Sequence, residues 1–221
     1  MSALLKVQNV YLSYTSGSNQ VKVLQGINLD VNSSESISVM GESGSGKTSL
    51  IMLISGLERV SSGSIIFQDR DITKLSEDEL AELRRKHIGI VFQSYYLIPN
   101  YSALENVCLT LEINKEKNIE TKAKEILARF GLKERFNNLP SQLSGGEQQR
   151  VAIARSLVVK PSLILADEPT GNLDSENSKM ISDMLINYVR EENSSLVLVT
   201  HDDNLASRAQ RKIKIKDGKV I

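Results

Sequence analysis

A glycine-rich segment, GESGSGKT, runs from Gly41 to Thr48 and fits the spacing G-x-x-x-x-G-K-[ST]. An apolar strand pattern precedes it at residues 36–40, and a helical pattern follows it at residues 47–56. Glycines in this setting let backbone N–H groups surround phosphate oxygens, while the lysine reaches the outer phosphates and the threonine hydroxyl ligates Mg²⁺. The segment therefore predicts a nucleotide-phosphate site made by Gly41, Glu42, Ser43, Gly44, Ser45, Gly46, Lys47, Thr48 and Ser49. The alternative is a glycine-rich turn before a helix.

Two adjacent carboxylates, Asp167 and Glu168, end an apolar strand pattern in LILADEP (residues 163–169). Successive side chains of a strand face opposite sides of the sheet, but Pro169 breaks the strand, so both carboxylates can reach one site. Asp167 suits a Mg²⁺ shell, and Glu168 is then placed to polarise a water molecule in line with the γ-phosphorus. An acidic helix cap after a strand is the alternative.

A second helix start with phosphate-binding character lies far along the chain, in LSGGEQQRVAIARSL (residues 143–157). Here Ser144, Gly145 and Gly146 stand directly before apolar residues at helical spacing. A small hydroxyl and glycines at a helix N-terminus leave unpaired N–H groups and the positive end of the helix dipole open to an anion. The chain therefore carries two anion-binding elements.

Strand and helix patterns alternate along most of the chain, as in α/β proteins with a mainly parallel sheet. The strand patterns cover residues 4–14, 21–31, 36–40, 63–67, 88–93, 162–167 and 195–200, and the helical patterns cover 47–56, 76–86, 102–113, 120–132 and 175–192. The polar residues 15–20 join the first two strands, and Ser76 and Glu79 have the spacing of a capping box. A hairpin is expected at the end, turning at Asp217–Gly218.

Strand patterns stop between residues 94 and about 160, where helical patterns replace them. We therefore predict one domain over residues 1–221, with a core lobe formed by residues 1–93 and 161–221. The core would hold a mainly parallel sheet with an antiparallel β subdomain at the N-terminus. Residues 94–160 would form an inserted α-helical subdomain.

The composition is that of a soluble globular protein. Lys plus Arg is 27 and Asp plus Glu is 27 among 221 residues, whereas nucleic-acid binders usually carry a basic excess, so we expect no nucleic-acid partner. No signal peptide is visible, and no apolar run approaches the length of about 20 residues that crosses a bilayer. We therefore expect a cytoplasmic protein whose membrane role, if it has one, depends on a partner.

Together the motifs resemble those of the ATP-binding subunits of ATP-binding-cassette (ABC) transporters, and the resemblance extends over nearly the whole chain. LSGGE (residues 143–147) is similar to the family's signature motif, and NLD (172–174) is similar to its D-loop. ALENV (103–107) and ADEPTGNLD (166–174) most resemble the branch that contains LolD, MacB and FtsE. The resemblance implies a P-loop NTPase fold that hydrolyses ATP with Mg²⁺.

The resemblance also implies roles for individual residues. Gln93 matches the Q-loop glutamine, a hinge that senses Mg²⁺ and water. The catalytic residues would then be Gln93, Glu168 and His201, and the Mg²⁺ ligands would be Thr48, Gln93 and Asp167. His201 matches the switch histidine that donates to the γ-phosphate, although it could instead cap a helix. Asp174 matches the D-loop aspartate. Tyr14 stands where the family stacks an aromatic ring on adenine, although it could instead pack in a strand.

The same resemblance explains the two anion-binding helix starts. In a two-fold dimer, the P-loop of each subunit can face the partner's signature residues, so a head-to-tail homodimer would close around two ATP molecules. The signature residues acting in trans would be Ser144, Gly145, Gly146 and Glu147. Such a subunit would drive a transmembrane permease from the inner face of the cell membrane, in LolD- or MacB-like export or extraction. An FtsE-like regulatory ATPase and a soluble ABC ATPase without a membrane partner are the alternatives.

A cluster of aromatic residues, SYYLIPNY (residues 94–101), follows Gln93 and contains Tyr95, Tyr96 and Tyr101. Residues this apolar, in a loop that enters the helical segment, form either the core of that segment or an exposed patch for a partner. The family has a groove here that receives a short cytoplasmic helix of the permease. We therefore expect the permease to dock on this segment.

Overall fold

The computed structural model describes residues 3–16 and 19–221. The strands are β1 (Ala3–Ser16), β2 (Asn19–Asn32), β3 (Ser36–Met40), β4 (Ser62–Phe67), β5 (Arg70–Asp71), β6 (Ile88–Val91), β7 (Leu163–Asp167), β8 (Ser195–Val199), β9 (Arg211–Lys216) and β10 (Lys219–Val220). The α-helices are α1 (Lys47–Ile54), α2 (Glu77–His87), α3 (Ala103–Ile113), α4 (Ile119–Arg129), α5 (Gly145–Leu157), α6 (Ser175–Glu191) and α7 (Asp203–Ala206). Residues 17 and 18, at the centre of the predicted loop 15–20, lie outside the described residues.

Two sheets organise these elements. The larger sheet has six strands in the order β10-β9-β3-β8-β7-β6, and the smaller sheet has four strands in the order β2-β1-β4-β5. All neighbours in the larger sheet are parallel except β9 and β10, and all neighbours in the smaller sheet are antiparallel. These sheets confirm the predicted fold class, a mainly parallel core with an N-terminal antiparallel sheet.

Strands β7 and β8 are buried on both faces, which explains why their sequences are continuous apolar runs. Alternate side chains enter different clusters: Leu165 and Val197 pack with the antiparallel sheet and α1, while Ile164 and Leu198 pack with the helices α3 to α6. The parallel sheet is thus the wall between two hydrophobic cores. A shift of either strand by one residue would exchange the two faces.

Helices α3, α4 and α5 follow one another between β6 and β7, in the stretch where the sequence predicts helices. Capping boxes fix where several helices begin. Ser76 accepts a hydrogen bond from the Glu79 backbone N–H while the Glu79 carboxylate accepts one from the Ser76 N–H, which confirms the predicted box. None of the helices in the described residues is both long and apolar enough to cross a membrane.

Tyr188 joins two of these helices. It lies on α6, is 1% exposed, and donates its hydroxyl to the backbone carbonyl of Leu157, the last residue of α5, at 2.7 Å. The Arg129 guanidinium lies 4.7 Å from the centre of its ring. Burial raises the pKa of the Tyr188 hydroxyl, so the group stays a hydrogen-bond donor at neutral pH.

We expect Tyr188→Phe to lower the free energy of unfolding by about 1 kcal/mol, the usual net contribution of one hydrogen bond. Urea denaturation followed by circular dichroism measures this difference. Tyr101→Phe is the matched control, because Tyr101 is 40% exposed, and it should leave the midpoint unchanged. Equal midpoints for the wild type and Tyr188→Phe would contradict the contribution assigned to this bond.

Candidate nucleotide-binding and catalytic site

A cavity of about 770 Å³ lies where β3, β7 and β8 end. This volume is within the range of about 300–1,000 Å³ that is usual for small-molecule sites. The cavity is lined by Val23, Gly41, Glu42, Ser43, Gly44, Gly46, Lys47, Thr48, Ser49, Gln93, Asp167, Glu168 and His201. The sequence analysis named all of these except Val23 on β2, which carries no chemical signal of its own.

The glycine-rich loop after β3 follows a path that only glycine takes easily. Gly44 and Gly46 have φ angles of 78° and 101°, in the left-handed region. A Cβ atom on Gly46 would lie 2.6 Å from Leu24 Cδ2, and one on Gly41 would lie 2.2 Å from the carbonyl oxygen of Ile215. The loop therefore rests closely on β2 and β9, with its backbone facing the cavity.

Lys47 is held at the mouth of this loop. Its side chain is buried, and Nζ donates to the carbonyl oxygens of Gly41 and Glu42, each at 2.8 Å. An ammonium has three N–H donors, so a phosphate oxygen can bind to the third while both contacts persist. The loop itself thus fixes the position of the positive charge.

Glu168 turns the chain at the end of β7. Its φ angle is 47°, a left-handed conformation that is uncommon for a residue with a side chain. This turn lets Asp167 and Glu168 line the same cavity although they are neighbours in sequence. The sequence analysis assigned the break to Pro169, whereas the left-handed turn comes one residue earlier.

Asp167 has the surroundings of a metal ligand. Its side chain is buried, and its Oδ1 atom has no hydrogen-bond partner among the described residues. Burial raises the pKa of Asp167 and the charge of Glu168 adds to the rise, while the Thr48 hydroxyl and Lys47 act in the opposite direction. A buried carboxylate oxygen beside a hydroxyl is a hard-oxygen set of the kind Mg²⁺ prefers, so these residues fit the expected ion.

His201 contacts the second carboxylate directly. It lies two residues beyond β8, and its Nδ1 is 2.8 Å from Glu168 Oε1. The His201 side chain is 73% exposed, whereas that of Glu168 is 16% exposed. The residue that caps α7 is Asp202, whose carboxylate accepts from the backbone N–H groups of residues 204 and 205.

Gln93 lies two residues beyond the end of β6, because this strand stops at Val91 rather than at the predicted residue 93. Its Nε2 donates to Asn172 Oδ1 at 3.1 Å, and Asn172 Nδ2 donates to the Gln93 carbonyl oxygen at 3.2 Å. Asn172 belongs to the segment predicted as the D-loop. This reciprocal amide pair ties the two loops together, and the sequence analysis did not foresee it.

Several predicted site residues do not line the cavity. Ser45 is buried in the glycine-rich loop. Tyr14 on β1 is 45% exposed, and its hydroxyl donates to Glu58 Oε2 at 3.2 Å. Asp174 caps α6 by accepting from the Asn177 backbone N–H at 2.9 Å. The signature residues 144–147 are also absent from the cavity wall and stand at the start of α5.

The start of α5 is a capped helix N-terminus. Ser144 Oγ accepts from the Glu147 backbone N–H at 3.2 Å, and Glu147 Oε2 accepts from the Ser144 N–H at 2.8 Å. A Cβ atom on Gly145 would lie 2.9 Å from the Tyr95 hydroxyl, and one on Gly146 would lie 2.6 Å from Asn177 Oδ1. A side chain at either position would therefore have to displace Tyr95, in the loop after β6, or Asn177, in the first turn of α6.

Comparison with known proteins places this geometry in a family. Residues 24–171 match the family described as ABC transporter. The chain belongs to the ABC transporter family. Over 223 aligned residues it is 44% identical to the lipoprotein-releasing system ATP-binding protein LolD of Geobacter metallireducens, covering 100% of this chain and 99% of that protein. It is 42% identical to LolD of Hahella chejuensis, covering 98% of this chain and 95% of that protein.

A solved structure agrees with these relatives. An ATP-binding cassette determined as a dimer in a post-hydrolysis state, bound to ADP and Pi, matches with a TM-score of 0.91 and 41% identity, covering 98% of this chain and 96% of that chain. The chain is thus an ABC transporter ATP-binding subunit of the LolD type. Its reaction is ATP hydrolysis coupled to transport.

We expect Asp167→Asn to raise the melting temperature at pH 7 in buffer with EDTA and without nucleotide. Because the pKa of Asp167 is raised in the folded state, folded protein binds more protons than unfolded protein between the two pKa values. The free energy of unfolding of the wild type therefore falls as the pH rises through that window. Asp167→Asn avoids this fall, because its amide does not ionise. Thermal unfolding at a series of pH values measures this. The difference in melting temperature between Asp167→Asn and the wild type should shrink as the pH is lowered toward the ordinary aspartate pKa of about 3.9.

Asp69→Asn is the control for this experiment, because Asp69 is exposed in a turn. It should leave the melting temperature unchanged across the same pH series. If Asp167→Asn melted at or below the wild-type temperature at pH 7, the carboxylate would not be a destabilising group in the folded protein.

Proposed function

We propose that this chain powers a membrane permease by closing as a head-to-tail homodimer around two ATP molecules and reopening after hydrolysis. One observation carries the proposal. The cavity collects the P-loop, both carboxylates, Gln93 and His201, whereas the signature residues 144–147 form a helix N-terminus away from the cavity. Each chain would therefore supply one part of two composite sites. The dimeric solved relative with ADP and Pi supports this assembly.

The side chains of the cavity suggest a division of roles. The loop amides and Lys47 would bind the phosphates, and Glu168 would accept a proton from the attacking water. His201, which contacts Glu168 at 2.8 Å, would hold that carboxylate and reach the γ-phosphate. When bound, Mg²⁺ neutralises phosphate charge, and the side chains that would hold it are those of Thr48, Asp167 and Gln93.

A groove of about 310 Å³ beside Tyr96 is the proposed permease dock. Apolar side chains line it: Ile90 on β6, Phe92 directly after β6, and Ile113 at the end of α3. Three arginines also line it, namely Arg84, Arg85 and Arg155. Its rim is exposed, since Tyr96 is 68% exposed and packs edge-on against Phe92 with ring centroids 5.4 Å apart.

The charge of this groove indicates what it would receive. Arg155 is largely buried, and its guanidinium donates to the carbonyl oxygens of Tyr95 and Tyr96 at 3.0 and 2.6 Å. Burial lowers the pKa of Arg155 because it removes water from the guanidinium, and the two carbonyl oxygens replace part of that hydration. A short amphipathic helix that carries a carboxylate would complement such a groove. We propose that this helix belongs to the permease and holds the subunit at the inner face of the cell membrane.

The curated relatives point to the kind of work. Both are named as ATP-binding proteins of lipoprotein-releasing systems, and the alignments span nearly the whole of each protein. We propose the same class of work here, LolD-like extraction or export, with lipoproteins as the candidate cargo. A regulatory role like that of FtsE would use the same ATP cycle without a transported substrate, and transport by the reconstituted complex separates the two.

Glu168→Gln should slow hydrolysis by about 10²–10⁴-fold, the effect expected of a lost general base. Removing the negative charge opposite the phosphates should also let ATP hold a stable dimer, seen as a shift on size exclusion. Adding Ser144→Asp should abolish that dimer, because aspartate still caps the helix but repels the γ-phosphate. A monomer with normal turnover in Glu168→Gln would overturn both the base assignment and the dimer.

The control for helix capping is Glu168→Gln with Ser76→Asp. Ser76 makes the same capping box at the start of α2, away from every proposed nucleotide contact. This double variant should still dimerise with ATP. If both aspartate variants lost the dimer, the loss would reflect the capping change rather than phosphate repulsion.

Tyr96→Asn should break assembly with the permease while leaving the ATPase activity of the isolated subunit nearly unchanged. Asparagine tolerates the left-handed backbone at this position, where φ is 46°, so the loop keeps its shape while the aromatic rim is lost. Co-purification of the membrane partner from detergent-solubilised membranes measures assembly. Tyr101→Asn, outside the groove lining, should retain it. If Tyr96→Asn still co-purified with the permease, the groove beside Tyr96 would not be the docking site.

A further inference from the structure

Gln149 is a buried polar residue that has no place in the roles described so far. It lies on α5 and is 1% exposed. Its Nε2 donates to the backbone carbonyl of Phe92 at 3.3 Å and to that of Pro169 at 2.7 Å. Both bonds reach out of the helix, one across to the segment after β6 and the other to the segment after β7.

The two carbonyls flank the two loops that carry the proposed chemistry. Phe92 directly precedes Gln93, and Pro169 directly follows Glu168. One amide group therefore fixes the spacing between these loops and sets both relative to α5. The Gln149 Oε1 atom is buried without a partner among the described residues, so the side chain bridges the loops at the cost of an unmatched acceptor.

We propose that Gln149 is a positioning residue for ATP hydrolysis, which holds Gln93 and Glu168 of its own chain in register with the signature helix. Ser144 stands at the start of the same helix, about 7.5 Å along the axis at 1.5 Å per residue. In the dimer that we propose above, this helix start would face the partner's nucleotide. Gln149 would then link the contact between the start of α5 and the partner's nucleotide to Gln93 and Glu168 of its own chain.

The variant Gln149→Met tests this role, because methionine keeps the length of the side chain and removes both donors. It should lower kcat by about 10-fold, since small displacements of catalytic groups cost large factors in rate, while the KM for ATP changes little. The melting temperature should fall modestly, because two hydrogen bonds are lost and the buried Pro169 carbonyl is left without its donor, while removal of the unmatched oxygen offsets part of this. Unchanged kcat would overturn the proposal.

Ser156→Ala is the matched control for the general stability of α5. Ser156 lies on the same helix and donates its hydroxyl to the backbone carbonyl of Ile90 at 2.6 Å, so it too ties α5 to β6. Its hydroxyl bonds to the carbonyls of Ile90 and Ala152 and to neither segment that Gln149 reaches. This variant should keep the wild-type kcat. A kcat loss equal to that of Gln149→Met would reduce Gln149 to one of several structural ties.

A dimer with one hydrolysing site separates positioning from a weakened helix. Two differently tagged subunits are mixed, and the second carries Glu168→Gln. Only the site that uses the Glu168 of the first subunit, and the signature of the second, then hydrolyses ATP. Gln149→Met in the first subunit should lower kcat by about 10-fold, and the same change in the second subunit should lower it far less. A general weakening of α5 would act through the signature and give the opposite order, which would overturn the proposal.

This inference rests on the proposed dimer, and the two can fail separately. If ATP does not assemble the Glu168→Gln subunits, the proposed dimer is wrong. The kcat and KM of the Gln149→Met variant, measured without mixing subunits, still test the positioning role. If the dimer forms and turnover depends on neither placement of Gln149→Met, the positioning role is wrong while the dimer stands.

Discussion

The parallel pairing of β3, β8, β7 and β6 is the constraint on which the site depends. Val199 pairs with both Val39 and Asp167, and Val91 pairs with Ala166, so the strands end almost together. Parallel strands present their carboxyl ends at one edge, where α/β proteins bind ligands. Gln93, Asp167, Glu168 and His201 lie at such an end or within two residues of it, and the P-loop begins directly after β3. The apolar strand residues therefore determine the site geometry although they do not touch the cavity.

One residue at this edge, Glu168, has a strained backbone. The left-handed Glu168 is held by two backbone bonds, from its N–H to the Val199 carbonyl at 2.9 Å and from the Gly171 N–H to its own carbonyl at 3.0 Å. A conformation of this kind costs on the order of 1 kcal/mol or more and persists only where neighbouring structure holds it. The buried sheet supplies that support, and in return two adjacent carboxylates face one cavity.

The sequence predicted the elements and the local chemistry because both depend on short-range patterns. Apolar periodicity located the strands, and spacing alone located the P-loop and the Ser76 capping box. Pairings between distant loops left no such pattern. The bond of Gln93 to Asn172 and the packing of Asn177 against Gly146 join residues that only the tertiary fold brings together. The pairing of β9 with β3 was hidden likewise, because a lysine-rich hairpin looks like an exposed edge.

The side chains to which we assign roles in ATP binding and hydrolysis are already engaged within the chain, and this bears on how ATP would act. Lys47 donates to two carbonyls of its own loop, Glu168 contacts His201, Gln93 pairs with Asn172, and Ser144 caps α5. Binding would thus exchange or share partners, and each exchange changes the free energy by only about 1 kcal/mol. Small and opposing terms of this kind would leave the open and closed arrangements of the proposed dimer close in free energy. A single γ-phosphate, present in ATP and lost on hydrolysis, can then decide between them, since a ligand shifts an equilibrium only by its differential affinity for the two states.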